Sequence, residues 1–211
     1  MKNKFITFEG IDGSGKSLQI EMLADYLTEL GEKILVVREP GTTVIGEYVR
    51  NILMDKKNNT MSYKTEALLF MAARAQLMQE KIIPALENNY TVICDRFIDS
   101  SVVYQGIGRG LGEKFIKELN KFVTENIEPD ITFFLDISPQ NAWLRKIGIQ
   151  TSDRFESENI NFHQKIYLGY KKLIAENPSR IICIDANVSP EEIHTQIVNT
   201  MKEKIKTLLL I

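Results

Sequence analysis

Cysteine, histidine and tryptophan are scarce in this chain of 211 residues, which holds two, two and one of them. Two cysteines build no disulfide framework, and a single domain of this length needs none, since it buries roughly 70% of the surface its unfolded form exposes. Cys94 and Cys183 each sit in a short apolar run, Val92-Ile93-Cys94 and Ile181-Ile182-Cys183-Ile184, and read as buried strand thiols, not as ligands. His163 and His194 lack Cys or His neighbours and read as structural helix residues, not a metal site. Charge of one sign is also lacking: the formal net charge is -2, which gives no support to a polybasic surface for nucleic acid or anionic lipid. No apolar run is long enough to span a bilayer, and no leader-like series follows Met1. The expectation is a cytoplasmic protein without a nucleic-acid or membrane partner.

What is present is a rhythm. Short β-rich apolar runs at 4–9, 33–38, 91–95, 131–136 and 180–185 alternate with helical patterns at 16–30, 44–54, 64–88, 112–124, 139–147, 156–176 and 190–207. Near-continuous apolar strands suit a parallel sheet covered on both faces, so the expected fold is α/β, one domain over 1–211 with a five-stranded parallel sheet flanked by helices. Ser189-Pro190-Glu191-Glu192 is a start signal for the last helix. Three strands end in Asp, at Asp95, Asp136 and Asp185, where open α/β sheets place their ligands. For Asp136 and Asp185 a turn or cap is the plainer reading.

The most specific motif is Gly10-Ile11-Asp12-Gly13-Ser14-Gly15-Lys16-Ser17, between a strand and a helix. It meets every requirement of a phosphate-binding loop: glycines that let backbone N–H groups form an anion nest, Lys16 to bridge the β- and γ-phosphates, and the Ser17 hydroxyl for Mg2+. GTPase partners are missing, because no Asn-Lys is followed by x-Asp, Asn120-Lys121 running into Phe122-Val123, and no Asp-x-x-Gly follows the loop.

Instead, groups suited to a second, anionic substrate follow strands two and three. Arg38-Glu39-Pro40-Gly41-Thr42 ends one strand in a turn, with Arg50 further on, and Asp95-Arg96-Phe97 ends the next. That sets a metal-affine carboxylate beside a phosphate-binding guanidinium. Phe70 and Arg74 lie four apart on the helix 64–88 and share a face. An aromatic plane with a guanidinium one turn on suits a pyrimidine base, although the same spacing also fits a core Phe with a solvated Arg.

With these residues goes an ordered series: Leu69-Phe70-Met71-Ala72-Ala73-Arg74, Ser100-Ser101-Val102-Val103-Tyr104-Gln105-Gly106, Pro129-Asp130, Leu135-Asp136 and Asp153-Arg154-Phe155-Glu156. The chain thereby resembles bacterial thymidylate kinases over essentially its whole length. The resemblance implies a P-loop nucleoside-monophosphate-kinase fold, a homodimer, and Mg2+- and ATP-dependent phosphorylation of dTMP to dTDP. It implies that Phe70 stacks on thymine, that Arg74 reaches its carbonyl, and that Ser101 or Gln105 completes the base contacts. Tyr104 would crowd the place of a ribose 2′-hydroxyl, Arg96 and Arg38 would hold the acceptor phosphate, with Glu39, Arg50 and Ser100 at the same site, and Asp12 would orient it. Asp95, with Ser17, would serve the metal.

The resemblance also implies a lid over ATP, here about 145–156, carrying a catalytic arginine. Ile147 stands before Gly148 where many relatives have Arg. Arg154 is then the first candidate, with Arg145 and Lys146 as alternatives; Trp143 reads as packing beneath this stretch. Thr42 stands where relatives often have Gly. Two other readings share the loop: a kinase for a different nucleoside or nucleotide, and an ATPase without an acceptor.

Overall fold

The computed structural model describes residues 5–145, 153–155 and 157–209. Five strands, β1 (Phe5–Glu9), β2 (Ile34–Arg38), β3 (Thr91–Asp95), β4 (Ile131–Asp136) and β5 (Ile181–Asp185), form one parallel sheet in the order β2-β3-β1-β4-β5. This is the expected α/β architecture, with each strand within a residue of its expected bounds. β1, β3 and β4 are buried along almost their whole length, so apolar residues on both sides find partners and no alternation survives in the sequence. The helices are α1 (Lys16–Glu29), α2 (Val44–Met54), α3 (Tyr63–Leu77), α4 (Ile83–Glu87), α5 (Ile98–Ser101), α6 (Glu113–Thr124), α7 (Pro139–Arg145), α8 (Ile160–Glu176) and α9 (Pro190–Leu209).

Local chemistry sets several boundaries. Thr43 caps α2 by accepting from Gly46 N at 2.9 Å, and Ser62 caps α3 by accepting from Thr65 N at 3.1 Å. At α9 the expected start signal is a reciprocal cap: Ser189 N donates to Glu192 Oε2 at 3.0 Å, and Glu192 N donates to Ser189 Oγ at 3.3 Å.

Two differences from the sequence reading have clear causes. The helix expected over 64–88 is interrupted by a π-helical turn, Met78–Ile82, just ahead of Pro84, whose missing N–H removes a regular α-helical bond there. A second π-helical stretch, Val102–Gly108, continues α5 where no helix was expected; Arg109 N closes a wide turn on Tyr104 O at 2.8 Å. Its sequence is β-branched and Gly-rich, which conceals it from propensity.

Trp143 is 69% exposed and not a packing residue, and Cys183 is exposed because β5 is an edge strand. Cys94, on the inner strand β3, is buried as expected. No helix among the described residues is long and apolar enough to cross a membrane.

Candidate active site at the carboxyl edge of the sheet

The order β2-β3-β1-β4-β5 makes β1 the place where successive connections leave in opposite directions, and the β1–α1 loop opens there. Gly10, Gly13 and Gly15 all adopt positive φ, at 144°, 84° and 94°. A Cβ on Gly10 would lie 2.9 Å from Ser14 Oγ and 3.0 Å from Leu135 O, so this glycine is required by space as well as by backbone shape. Lys16 is buried and folds back over its own loop, its Nζ 3.2 Å from both Gly10 O and Ile11 O. Burial and then the neighbouring Arg96 push the Lys16 ammonium below its ordinary pKa, while Asp95, Asp12 and Glu9 work the other way.

β3 ends beside this loop. Arg96 takes a left-handed backbone, φ 67°, pinned by its N–H on Phe8 O at 2.9 Å. Its Nη2 lies 2.7 Å from Asp12 Oδ1, while Nη1 reaches Ser100 Oγ at 3.3 Å and Tyr170 OH at 3.4 Å. Beneath it sits Glu9, fully buried, which accepts from Phe97 N at 2.8 Å, Ser100 N at 3.1 Å, Ser100 Oγ at 2.6 Å and Tyr170 OH at 2.7 Å. Desolvation raises the Glu9 carboxyl, and Asp99 adds to this, with Arg96 opposing. Glu9 and Tyr170 were not singled out by sequence. The available signal for Glu9 was a carboxylate closing an apolar buried strand directly before the loop.

The other half of the site is a cleft lined by Asp12, Glu39, Pro40, Arg50, Phe70, Arg74, Arg96, Ser100, Ser101, Tyr104 and Gln105, with Asp153 and Phe155 across it. Phe70 and Arg74 come from α3, while Tyr104 and Gln105 come from the π-helical turn after α5. Phe155 meets Phe70 and Tyr104 edge-on at 5.8 and 6.0 Å. Arg74 is buried and not a solvated flank, and Phe70 lines the cleft as well as touching the core. Arg50 donates to Pro40 O at 3.0 Å. A neighbouring depression brings Ser17, Arg38, Thr42 and Asp95 together. There Asp95 Oδ1 is buried without a hydrogen-bond partner, an orphaned acceptor that fits a cation site.

A family model described as thymidylate kinase matches residues 8–197. This chain belongs to the thymidylate kinase family. The thymidylate kinase of Thermoanaerobacter sp. (strain X514) is 49% identical over 203 residues, spanning 96% of this chain and 99% of the relative. That of Finegoldia magna is 44% identical over 200 residues, spanning 95% and 98%. A crystal structure of thymidylate kinase from Ehrlichia chaffeensis superposes with a TM-score of 0.78 at 34% identity, covering 95% of this chain and 98% of that one.

In this family member most of the expected site residues converge, but Arg154 does not. Arg154 turns away from the phosphate loop: its Nη1 lies 2.6 Å from Glu66 Oε2 and its Nε 2.9 Å from Leu53 O, so it is spent on a buried carboxylate instead of facing a donor phosphate. Arg145 donates to Ala186 O at 2.5 Å, just past the carboxyl end of β5 and so on the sheet edge that carries the phosphate loop. Lys146, Ile147, Gly148 and most of the expected lid lie outside the described residues. Asp185 serves a turn as expected, accepting from Asn187 N at 2.9 Å. Asp136 is instead tied to α8 through Tyr167 OH at 2.9 Å and Lys171 Nζ at 2.8 Å. Thr42 adopts φ 71°, and its hydroxyl, 2.9 Å from Arg38 N and 3.1 Å from Arg38 O, holds the turn where a glycine would need no such help.

Proposed function

We propose that this chain transfers the γ-phosphoryl group of ATP to dTMP, giving dTDP for dTTP synthesis. The observation that carries this reading is the Arg96–Asp12 contact at 2.7 Å, which joins the phosphate loop to the cleft of Phe70, Arg74, Tyr104 and Gln105. Donor and acceptor sites thus share a wall, as in-line transfer requires.

The backbone amides of 10–17 and Lys16 hold the donor phosphates. Arg96, with Arg38 and Arg50 nearby, holds the acceptor phosphate, and Asp12 orients it through Arg96. Phe70 stacks on the base, Arg74, Ser101 and Gln105 read its polar edge, and the ring of Tyr104 limits space at the sugar. Glu39 and Ser100 hold Arg74 and Arg96 in place. Ser17 and Asp95 are the residues to hold Mg2+, which supplies charge neutralisation at the donor phosphates. With Arg154 engaged at Glu66, Lys16 and Arg96 are, among the described residues, the cations set at the phosphate loop to meet the transition-state charge. Little covalent chemistry is asked of the protein, so aligning two polyanions and keeping water out supply the rate.

A homodimer accompanies this reading. Tyr48 of α2, Leu68 of α3 and Phe122 of α6 are 67%, 58% and 82% exposed on neighbouring helices, an apolar surface that a second copy would cover. A cytoplasmic setting goes with the free thiols and with the nucleotide substrates.

Coupled ADP release with Mg-ATP and a panel of dTMP, dUMP, the ribose analogue, CMP, AMP and thymidine tests the reading. A strong preference for dTMP is expected; acceptor-independent hydrolysis, or preference for another acceptor, would leave the loop and remove the substrate.

A further inference from the structure

Glu66, in the first turn of α3, is fully buried, and donors from three distant places meet on it. Gln105 Nε2 lies 2.9 Å from Oε1. Arg109 reaches it through Nε at 3.2 Å and Nη2 at 3.1 Å, and Arg154 through Nη1 at 2.6 Å. Arg109 is itself fixed by Glu158 at 2.5 Å and by the rings of Tyr63 and Phe162, 4.8 and 4.6 Å from its guanidinium carbon. None of this network is needed to hold a nucleotide phosphate.

Its consequence falls on Gln105. With two guanidinium groups donating to it, Glu66 meets the Gln105 amide only as an acceptor. The NH2 end of that amide must therefore face Glu66, and the carbonyl oxygen is the end left for the cleft that Gln105 lines.

We propose that Glu66 is a specificity-determining positioning residue: by capturing the Gln105 amide N–H it presents the Gln105 carbonyl to the acceptor base as a fixed acceptor. Such a group selects a pyrimidine with a proton on N3, as thymine and uracil have, over cytosine, whose N3 carries a lone pair. Without Glu66 the amide can turn and offer either end. A pocket that meets a substrate N–H with a fixed acceptor discriminates more sharply than a pocket that reads shape alone. This rests on the assignment of dTMP as acceptor.

The test is the ratio of kcat/KM for dTMP to that for dCMP, in wild type, Glu66→Gln, Glu66→Asp and Gln105→Met, each checked for a cooperative thermal melt. Glu66→Asp keeps a negative charge for Arg109 and Arg154 but draws the oxygen back from Gln105, so it decides the matter should Glu66→Gln fail to fold. The ratio should fall by about tenfold or more in each folded variant, with KM for ATP unchanged. Adding Glu66→Asp to Gln105→Met should lower it no further. A merely structural Glu66 would slow both acceptors alike, and an unchanged ratio in folded Glu66→Asp overturns the proposal. Wild type that prefers dTMP while the variants keep its ratio defeats this inference alone; wild type with no preference for dTMP defeats the acceptor assignment as well.

Discussion

Glu39 and Arg74, 35 residues apart, form a two-pronged ion pair in which both side chains are almost fully buried. Arg74 Nε lies 3.0 and 2.8 Å from the two carboxylate oxygens, and Nη2 reaches the second as well. Its other donors meet Asn120 Oδ1 at 2.5 Å and Phe97 O at 3.0 Å. The guanidinium that borders the base cleft is thus held by β2, β3 and α6 together, so its geometry exists before any ligand arrives.

Removing one partner of this pair should cost far more than removing both. Arg74→Met leaves a carboxylate buried without its cation and is expected to lower stability by about 3–5 kcal/mol in urea unfolding. The double variant Arg74→Met with Glu39→Met should be more stable than Arg74→Met alone. If the double variant loses the sum of the two single losses, the pair is not coupled as drawn.

Arg96 joins strain to function. Its side chain bridges Asp12, Ser100 and Tyr170 while its backbone holds φ 67°, a region that favours glycine. Arg96→Ala and Arg96→Gly should both lower kcat by roughly 10³-fold or more, as expected for a cation on a transferring phosphoryl group. They should differ in stability, however: the glycine variant is expected to be about 1 kcal/mol the more stable, because it alone relieves the backbone. Equal melting of the two would mean that the turn is not strained.

Thr42 offers the same contrast with an opposing term. Its left-handed backbone costs energy, while its hydroxyl and the 2.6 Å bond from its N–H to Glu47 Oε1 return some of it. Thr42→Ala keeps the strain and loses the hydroxyl, and should destabilise by about 1–2 kcal/mol; Thr42→Gly should fall between it and wild type. Chemical denaturation of the three proteins gives the order directly.

The parts legible in the sequence are those governed by local pattern. Apolar runs with turn signals marked all five strands, and the spacing of Gly10, Gly13, Gly15, Lys16 and Ser17 marked the loop, because a phosphate nest is a local backbone structure. Burial of charge was not legible. Glu66 reads as an acidic residue in a first helical turn and Arg109 as a surface cation after Gly108, yet they meet at 3.1 Å in the interior, 43 residues apart. Nothing local announces such a pair, nor that Arg154 shares its carboxylate. The thiol of Cys183 was misjudged for the opposite reason: an apolar run looks the same on an edge strand as on an inner one.

Exposure does not make that thiol reactive. Partial burial, then the charge of Asp136, whose Oδ2 lies 3.5 Å from the sulfur, push the Cys183 thiol up to about 11. An acid with a raised pKa stays protonated over the neutral range, so the thiolate needed for alkylation is scarce until the pH approaches that value. Iodoacetamide should therefore label the native chain at pH ~8 about a hundredfold more slowly than a free thiol of pKa ~8.5, with the rate climbing to a plateau above pH ~11. Asp136→Asn removes the repelling charge and should move the midpoint downward and speed labelling at pH ~8, while Cys183→Ser should abolish it, since Cys94 is buried with its own pKa driven well above the ordinary range by desolvation. A midpoint near pH ~8.5 in the native chain would mean that neither burial nor Asp136 acts on this sulfur.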